Sequence, residues 1–583
     1  MKTTVYLALL LLPTLASAKH PLTQRYLDGL FKAKPHLATF MGDHRFDGKL
    51  PDLSPAALAA RDQELTALKK DLEKTRPANL DDEIDQAILA DGIALELLYL
   101  REIKDWEWDP RLNDSFPYYD PREIVAGRLS DIIHGDFAPD AERRRSVTAQ
   151  LDALPKFLTQ EIAALRGARR KASKEYVEQA IKGNQGRLEF FETEVKEFTA
   201  KDPIGEAARA RAIDALKKYQ AYLVDDLAKQ PGGDWRLGAD LYRKKFPLAL
   251  QTTLTPAEVV SRAEAAFASA RGELAQVALR LHKQLWPKEP DLSGQKLDAA
   301  RLTQVINRVK DELSKDHPKP GDLVASHGRN LDALRSFIEK HDLLALPPKD
   351  TLLVEPMPAF KRGSSAAEYL APGVLDRKPV WHATYYVDPI DPSWPADRVE
   401  SYLRGQNNYE VQLVAAHEAY PGHHTQYFYS KRNLNSLRAV LWNAAMVEGW
   451  AVYGEGLMVG LGWGDKMNDR FHFYDLRGQM IVATNILLDI KLQSGQMTDA
   501  EAVRFMVEEG FQEKAMAEKK LIRAKLDSTQ LAQYFLGLDE IKSLEADYKK
   551  KVGAKWSQRA FNEALIGQGS VAVKFLRRYL LGR

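Results

Sequence analysis

Six long stretches whose apolar residues recur every three and four positions, with Glu, Lys and Arg between, constrain this chain most: Leu58 to Thr75, Leu80 to Asp105, Ala141 to Ala163, Gly205 to Lys229, Pro256 to Leu281 and Asp298 to Lys315. That spacing lays an apolar stripe along a helix, so the chain is expected to be mainly α. Only Leu352 to Pro356 and Val380 to Asp388, bounded by prolines and richer in β-branched and aromatic residues, read as strands. At 583 residues the chain exceeds a usual single domain. We expect a helical lobe over 19–345 and a site-bearing lobe over 346–583, or one continuous helical body over 19–583.

The chemistry concentrates in His417-Glu418-Ala419-Tyr420-Pro421-Gly422-His423-His424 and, further on, Val447-Glu448-Gly449-Trp450-Ala451. Neutral imidazoles and a carboxylate suit a borderline-soft divalent cation. Three protein ligands with one position left to water are what a hydrolytic zinc centre requires. The expectation is one Zn2+ per chain on His417, His423 and Glu448, with Glu418 as general base.

The spacing does not fit an unbroken helix. Six residues at about 100° each set His423 about 120° off the face of His417, and seven restore the face but separate the Cα atoms by about 10.5 Å. Pro421 removes a backbone donor and its ring collides with the carbonyl of His417, while Gly422 accepts dihedrals that other residues avoid. A break at Pro421-Gly422 would return a second histidine to the metal. Spacing alone leaves His424 open as the alternative ligand or a supporting residue; a glycine directly before the second ligand, common in zinc-peptidase helices, favours His423.

Ala439 to Leu457 is dense in Ala, Leu, Val, Trp and Met yet carries Glu448 and Glu455. Buried carboxylates are costly unless a cation or hydrogen bonds compensate them. Seven apart, the two share a face. Glu448 is then the ligand, and Glu455 or Tyr453 orients the ligating groups.

With these motifs the chain resembles the secreted bacterial proteins known as domain of unknown function 885, which look like zinc metallopeptidases of the gluzincin type. Besides HEAYPGHHTQ and EGWAVYGE, the resemblance includes PHLATFMGDHRFD at 35 to 47, LGADLYRKKFPLAL with TPAEVV at 237 to 260, VEPMPAFKR at 354 to 362, QNNYEVQLVAAHE at 406 to 418, and Gln530 to Gly537. It implies a large multi-helix gluzincin-like fold with a small β-sheet beside the metal site, and hydrolysis of short peptides admitted to a channel. It also implies an oxyanion donor from well downstream, Tyr534, with Tyr386 as second candidate. Arg523 would hold a substrate carboxylate. The strand bearing His382 would lie at a sheet edge, where a peptide adds as an extra strand. Two positions depart from the family's pattern on the substrate side: Gln493, and Asn562 after Phe561, both where histidine is frequent.

Composition limits the alternatives. A net charge of +2 with a single basic cluster, Arg166 to Lys174, lacks the sustained basic face of a nucleic-acid binder. Lys2, the apolar run Val5 to Leu12 and Ala16-Ser17-Ala18 read as a signal peptide over 1–18, implying an exported, periplasmic or secreted protein with no membrane span after cleavage. The absence of cysteine excludes a lipidated cysteine, disulfides, a thiol nucleophile and cysteine-bound metal. The leading expectation is a periplasmic zinc metallopeptidase. The alternatives are a non-catalytic periplasmic peptide-binding or scaffold protein, and a metal hydrolase of a non-peptide amide or ester.

Overall fold

All six periodic stretches fold as helices, spanning Pro55–Leu72, Leu80–Leu98, Asp140–Gly167, Pro203–Ala221, Pro256–Leu285 and Ala299–Leu313. Their starts follow from local chemistry. Ser54 and Asp298 accept backbone N–H groups of the first turn, and Thr255 and Glu258 form a reciprocal capping box ahead of the longest helix. Two of the patterns continue through π-helical turns, at Tyr99–Ile103 and Tyr222–Asp226, where single extra residues are accommodated. The computed structural model describes residues 21–115, 122–357, 362, 365–376, 382–433 and 435–582; the expected signal segment lies outside the described residues.

Eight helices matter for the site: α1 (Pro256–Leu285), α2 (Leu323–Arg329), α3 (Asn408–Glu418), α4 (His423–Arg432), α5 (Ala444–Gly460), α6 (Asn468–Gln493), α7 (Lys514–Leu526) and α8 (Ala532–Val552). Helix α1 runs along α6, and α5 lies against α8. The second pairing depends on two glycines. A Cβ on Gly537 would stand 1.7 Å from the carbonyl oxygen of Ala445, and one on Gly449 would stand 2.3 Å from the Gly537 carbonyl carbon. Only hydrogen at both positions lets the two backbones approach this closely. The main core draws on residues from Tyr26 to Leu576 and crosses position 345; a second cluster gathers Leu112 to Leu227.

A three-stranded sheet, β1 (Leu352–Pro356), β2 (Ala367–Leu370) and β3 (Ala383–Val387), runs in the order β1-β3-β2, with β3 parallel to β1 and antiparallel to β2. The expected edge strand is thus the central one. With Tyr386 facing Glu355 on one side and Glu368 on the other, β3 has no free ladder for an added peptide. The strand that displaces it from the edge, β2, has only four residues and no β-branched side chain, which explains why periodicity did not expose it. Helix α3 packs against β2, so the sheet edge near the motif is Ala367–Leu370.

Candidate metal centre

The helix that carries His417 stops at Glu418, and a new one starts at His423. Ala419 leaves the helical region at φ −108°, ψ −87°, and Gly422 lies at φ −68°, ψ −135°. The Gly422 N–H donates to the Ala416 carbonyl at 3.0 Å, and the indole of buried Trp450 donates to the Pro421 carbonyl at 3.0 Å, so the loop is tied to both α3 and α5. A Cβ on Gly422 would fall 1.7 Å from the His417 carbonyl oxygen, so this turn requires glycine. The consequence is local: two imidazoles six residues apart meet with ring centroids 4.7 Å apart and planes at 83°.

Helix α5 completes the cluster. Glu448 Oε2 lies 3.5 Å from His417 Nε2 and 3.7 Å from His423 Nε2, and one ligand atom from each of the three residues falls within 4.8 Å of the others. One turn-pair further along the same face, Glu455 Oε1 takes the other ring nitrogen of His417, Nδ1, at 2.6 Å. A nitrogen-nitrogen-oxygen donor set, with one imidazole oriented by an outer carboxylate, fits a divalent zinc ion. His423 Nδ1, by contrast, is buried and has no hydrogen-bond partner among the described residues.

Charge and burial shape the titrations here. Burial disfavours a charged His417, but Glu448 and Glu455 outweigh it and raise its pKa well above the ordinary histidine range. Burial pushes His423 down to about 4, with Glu448 opposing and His417 adding to the effect. Burial also works against an ionised Glu448, yet its bond to His417, then the charges of His423, His417 and Arg523, hold it below the usual carboxylate range. Glu418 is pushed up to about 7, chiefly by burial, with His417 opposing and Glu448, Glu368 and Glu455 reinforcing.

The other expected residues divide. His424 points away: its Nε2 meets Thr351 Oγ1 at 3.0 Å and its Nδ1 meets the Tyr369 hydroxyl at 3.2 Å, so it is not the alternative ligand but a buried brace between α4 and the sheet. Tyr453 also faces elsewhere. Its hydroxyl donates to Glu545 at 2.9 Å and accepts from Gln558 at 2.8 Å, which leaves the orienting role to Glu455. Tyr534 on α8 accepts a hydrogen bond from the Arg523 guanidinium at 3.2 Å, and Arg523 also donates to Gln530 at 3.0 Å. Tyr386 stands in register between Glu355 and Glu368, and burial raises its pKa. His382 lies exposed immediately before β3. Gln493 accepts from the Leu237 N–H at 2.8 Å and donates to the Asp527 carbonyl at 3.1 Å; Asn562 donates to the Leu343 carbonyl at 3.0 Å. Both therefore serve as backbone braces.

Sequence reading missed Thr351 and Tyr369, which hold His424 from the poorly patterned segment around the sheet.

Among the described residues no helix is long and apolar enough to cross a membrane. The structure is similar to that of a "putative lipoprotein of unknown function" from Shewanella oneidensis, with TM-score 0.78 and 28% identity over 96% of this chain and 99% of that one. It is also similar to a "putative lipoprotein" from Colwellia psychrerythraea, with TM-score 0.76 and 16% identity over 97% and 99%. No curated protein matches the chain. The family described as "Bacterial protein of unknown function (DUF885)" matches residues 35–580, and the chain belongs to that family.

Proposed function

We propose that the protein is a zinc-dependent hydrolase of short peptides. The observation that carries this reading is the convergence of His417, His423 and Glu448, with Glu418 next to the first ligand and Glu455 holding that ligand's far nitrogen. Bound there, zinc would polarise a carbonyl and lower the pKa of water.

The chain's own residues would do the rest. Glu418, buried and pushed up to about 7, is suited to take a proton from the attacking water and to return it to the leaving amine. Tyr534, whose hydroxyl already accepts from Arg523, would turn its own O–H toward the oxyanion, and the guanidinium behind it favours electron density on that hydroxyl oxygen. The edge strand Ala367–Leu370, beside α3, offers main-chain groups to an extended substrate. A binding protein without turnover needs no carboxyl group of shifted pKa beside its ligands, which favours the hydrolase over a scaffold. Export is part of the same reading, supported by the signal-like N-terminus and by the lipoprotein description of the Shewanella relative. With no cysteine in the chain, a thioether lipid is not part of it.

Incubation with a mixed peptide library, read by mass spectrometry with and without chelator, tests the proposal. Cleavage that stops with chelator and returns with zinc is the expected result. Binding without cleavage would point to the scaffold, and hydrolysis of esters or non-peptide amides alone to the third class.

A further inference from the structure

A groove of about 410 Å³ opens between α1, the C-terminal half of α6 and the segment that follows α6, made of the helix Asp499–Arg504 and the π-helical turn Phe505–Glu509. No residue of α3, α4, α5 or α8 lines it, so it is distinct from the metal centre. Its volume falls in the range of pockets that hold small organic molecules, about 300–1,000 Å³. The floor is apolar. Phe267 and Leu487 are buried, Met497 and Phe505 are half-buried, and the rings of Phe267 and Phe505 lie with centroids 5.2 Å apart and planes tilted by 35°. Isolated π-helical turns recur at functional sites, and this one supplies Phe505 to the floor and Glu508 to the rim.

The charges on the rim sort by partner. Lys491 donates to Glu264 at 2.7 Å, Glu509 pairs with Arg271, and the Glu501 carboxylate accepts from the Thr498 N–H and hydroxyl at 2.9 and 2.8 Å. Arg504 and Glu508 remain. Both are exposed, and among the described residues neither forms a hydrogen bond or an ion pair, with the other or with any third group. One cation and one anion above an aromatic, apolar floor match a zwitterion that carries an apolar side chain. We infer that the groove binds a free amino acid with a large apolar side chain, its carboxylate on Arg504, its ammonium on Glu508 and its side chain against Phe267, Phe505 and Met497. The site goes beyond the hydrolase reading and does not rest on it. A peptide bond at either end of the residue removes one of the two charges, so the groove distinguishes a free amino acid from the same residue within a chain.

Calorimetric titration of the full-length protein tests this without reference to turnover. The probes are L-phenylalanine, N-acetylphenylalanine, phenylalaninamide and N-acetylphenylalaninamide, which present both charges, the anion alone, the cation alone and neither. Phenylalanine should bind at least about tenfold tighter than either singly charged probe, the scale of one charge-assisted contact. The rim variants should then cross. Glu508→Gln should close the gap between phenylalanine and N-acetylphenylalanine and keep the gap to phenylalaninamide, and Arg504→Gln should do the reverse. Phe505→Ala should weaken phenylalanine binding about tenfold or more through lost apolar contact. Both rim positions are exposed, so thermal unfolding of Glu508→Gln and Arg504→Gln at the wild-type temperature confirms that the variants are folded. Equal binding of the four probes, no binding of phenylalanine, or binding that both rim variants leave unchanged or weaken alike for every probe overturns the site. Peptide hydrolysis is scored separately on the zinc-loaded wild type, so its absence counts against the hydrolase reading alone.

Discussion

Glu455 Oε1 lies 2.6 Å from His417 Nδ1, while Glu448, seven residues earlier on the same helix, faces the opposite nitrogen of that ring at 3.5 Å. One helix thus supplies both the neighbour in the donor set and the group that fixes the ring's tautomer and tilt. Removing the outer carboxylate charge in Glu455→Gln should weaken zinc binding about 10- to 100-fold, as for other outer partners of ligating histidines. Tyr453→Phe, which alters a hydroxyl committed to Glu545 and Gln558, should leave zinc affinity at the wild-type value. Competition titrations with a chromogenic chelator measure both, and equal affinities in the two variants would remove Glu455 from the site.

The neighbouring histidines should part company. His423→Ala removes a member of the donor set, and zinc content after gel filtration should fall well below one per chain. His424→Ala leaves the donor set intact but strands Thr351 and Tyr369, so it should retain zinc while losing about 1–3 kcal/mol of stability. Metal analysis and urea unfolding, run on both variants, distinguish the roles. Loss of zinc in His424→Ala with retention in His423→Ala would reverse the assignment.

For Glu418 the expectation is chemical rather than structural. Glu418→Gln keeps the size and much of the hydrogen bonding but removes the base, so zinc should remain while turnover falls by at least about 10²-fold. Peptide turnover at the wild-type rate in a zinc-replete Glu418→Gln preparation would take this residue out of the mechanism.

Away from the centre, His327 on α2 is fully buried and its Nδ1 meets the Tyr385 hydroxyl of β3 at 2.5 Å. Burial lowers its pKa to about 4, with Gln406 opposing. The unfolded chain takes up this proton near pH 6.5 and the folded protein does not until about pH 4, so stability should fall across that window and level off below it. The full effect is on the order of 3 kcal/mol, from about 1.4 kcal/mol per pKa unit. Urea midpoints between pH 7 and 4.5 should drop more steeply for the wild type than for His327→Gln; parallel curves would mean that another group carries the acid sensitivity.

How much of this was legible depends on what each element needed. The long helices follow from periodicity because each must bury one stripe, and the break after Glu418 follows from Pro421 and Gly422 because their backbone limits are local. Glu448 and Glu455 were legible as carboxylates in an apolar run. The direction of a side chain was not: His424 and Tyr453 lie one residue and two residues from site groups, yet neighbouring helical positions diverge by about 100° each, and tertiary packing decided which way they face. The sheet order was hidden because β2 carries no alternating pattern.

The most constrained position in the site is Gly422. A methyl group there would lie 1.7 Å from the His417 carbonyl oxygen, well inside contact distance, so Gly422→Ala must move the chain between the two histidines of the proposed donor set. The neighbouring anchors, the Trp450 bond to Pro421 and the Gly422 bond to Ala416, resist that shift from one side, so the displacement should pass to His423. A misplacement of about 1 Å at a catalytic constellation costs on the order of 10²-fold in rate. We expect Gly422→Ala to fold, to bind zinc more weakly and to lose activity by about that factor. Gly478→Ala on α6 supplies the control, since nothing lies within 4 Å of its added Cβ and a helix interior gains up to about 1 kcal/mol from the change. Zinc affinity and peptide turnover of the two variants, measured side by side, decide the matter: wild-type values in Gly422→Ala would show that the ligand geometry does not depend on this turn.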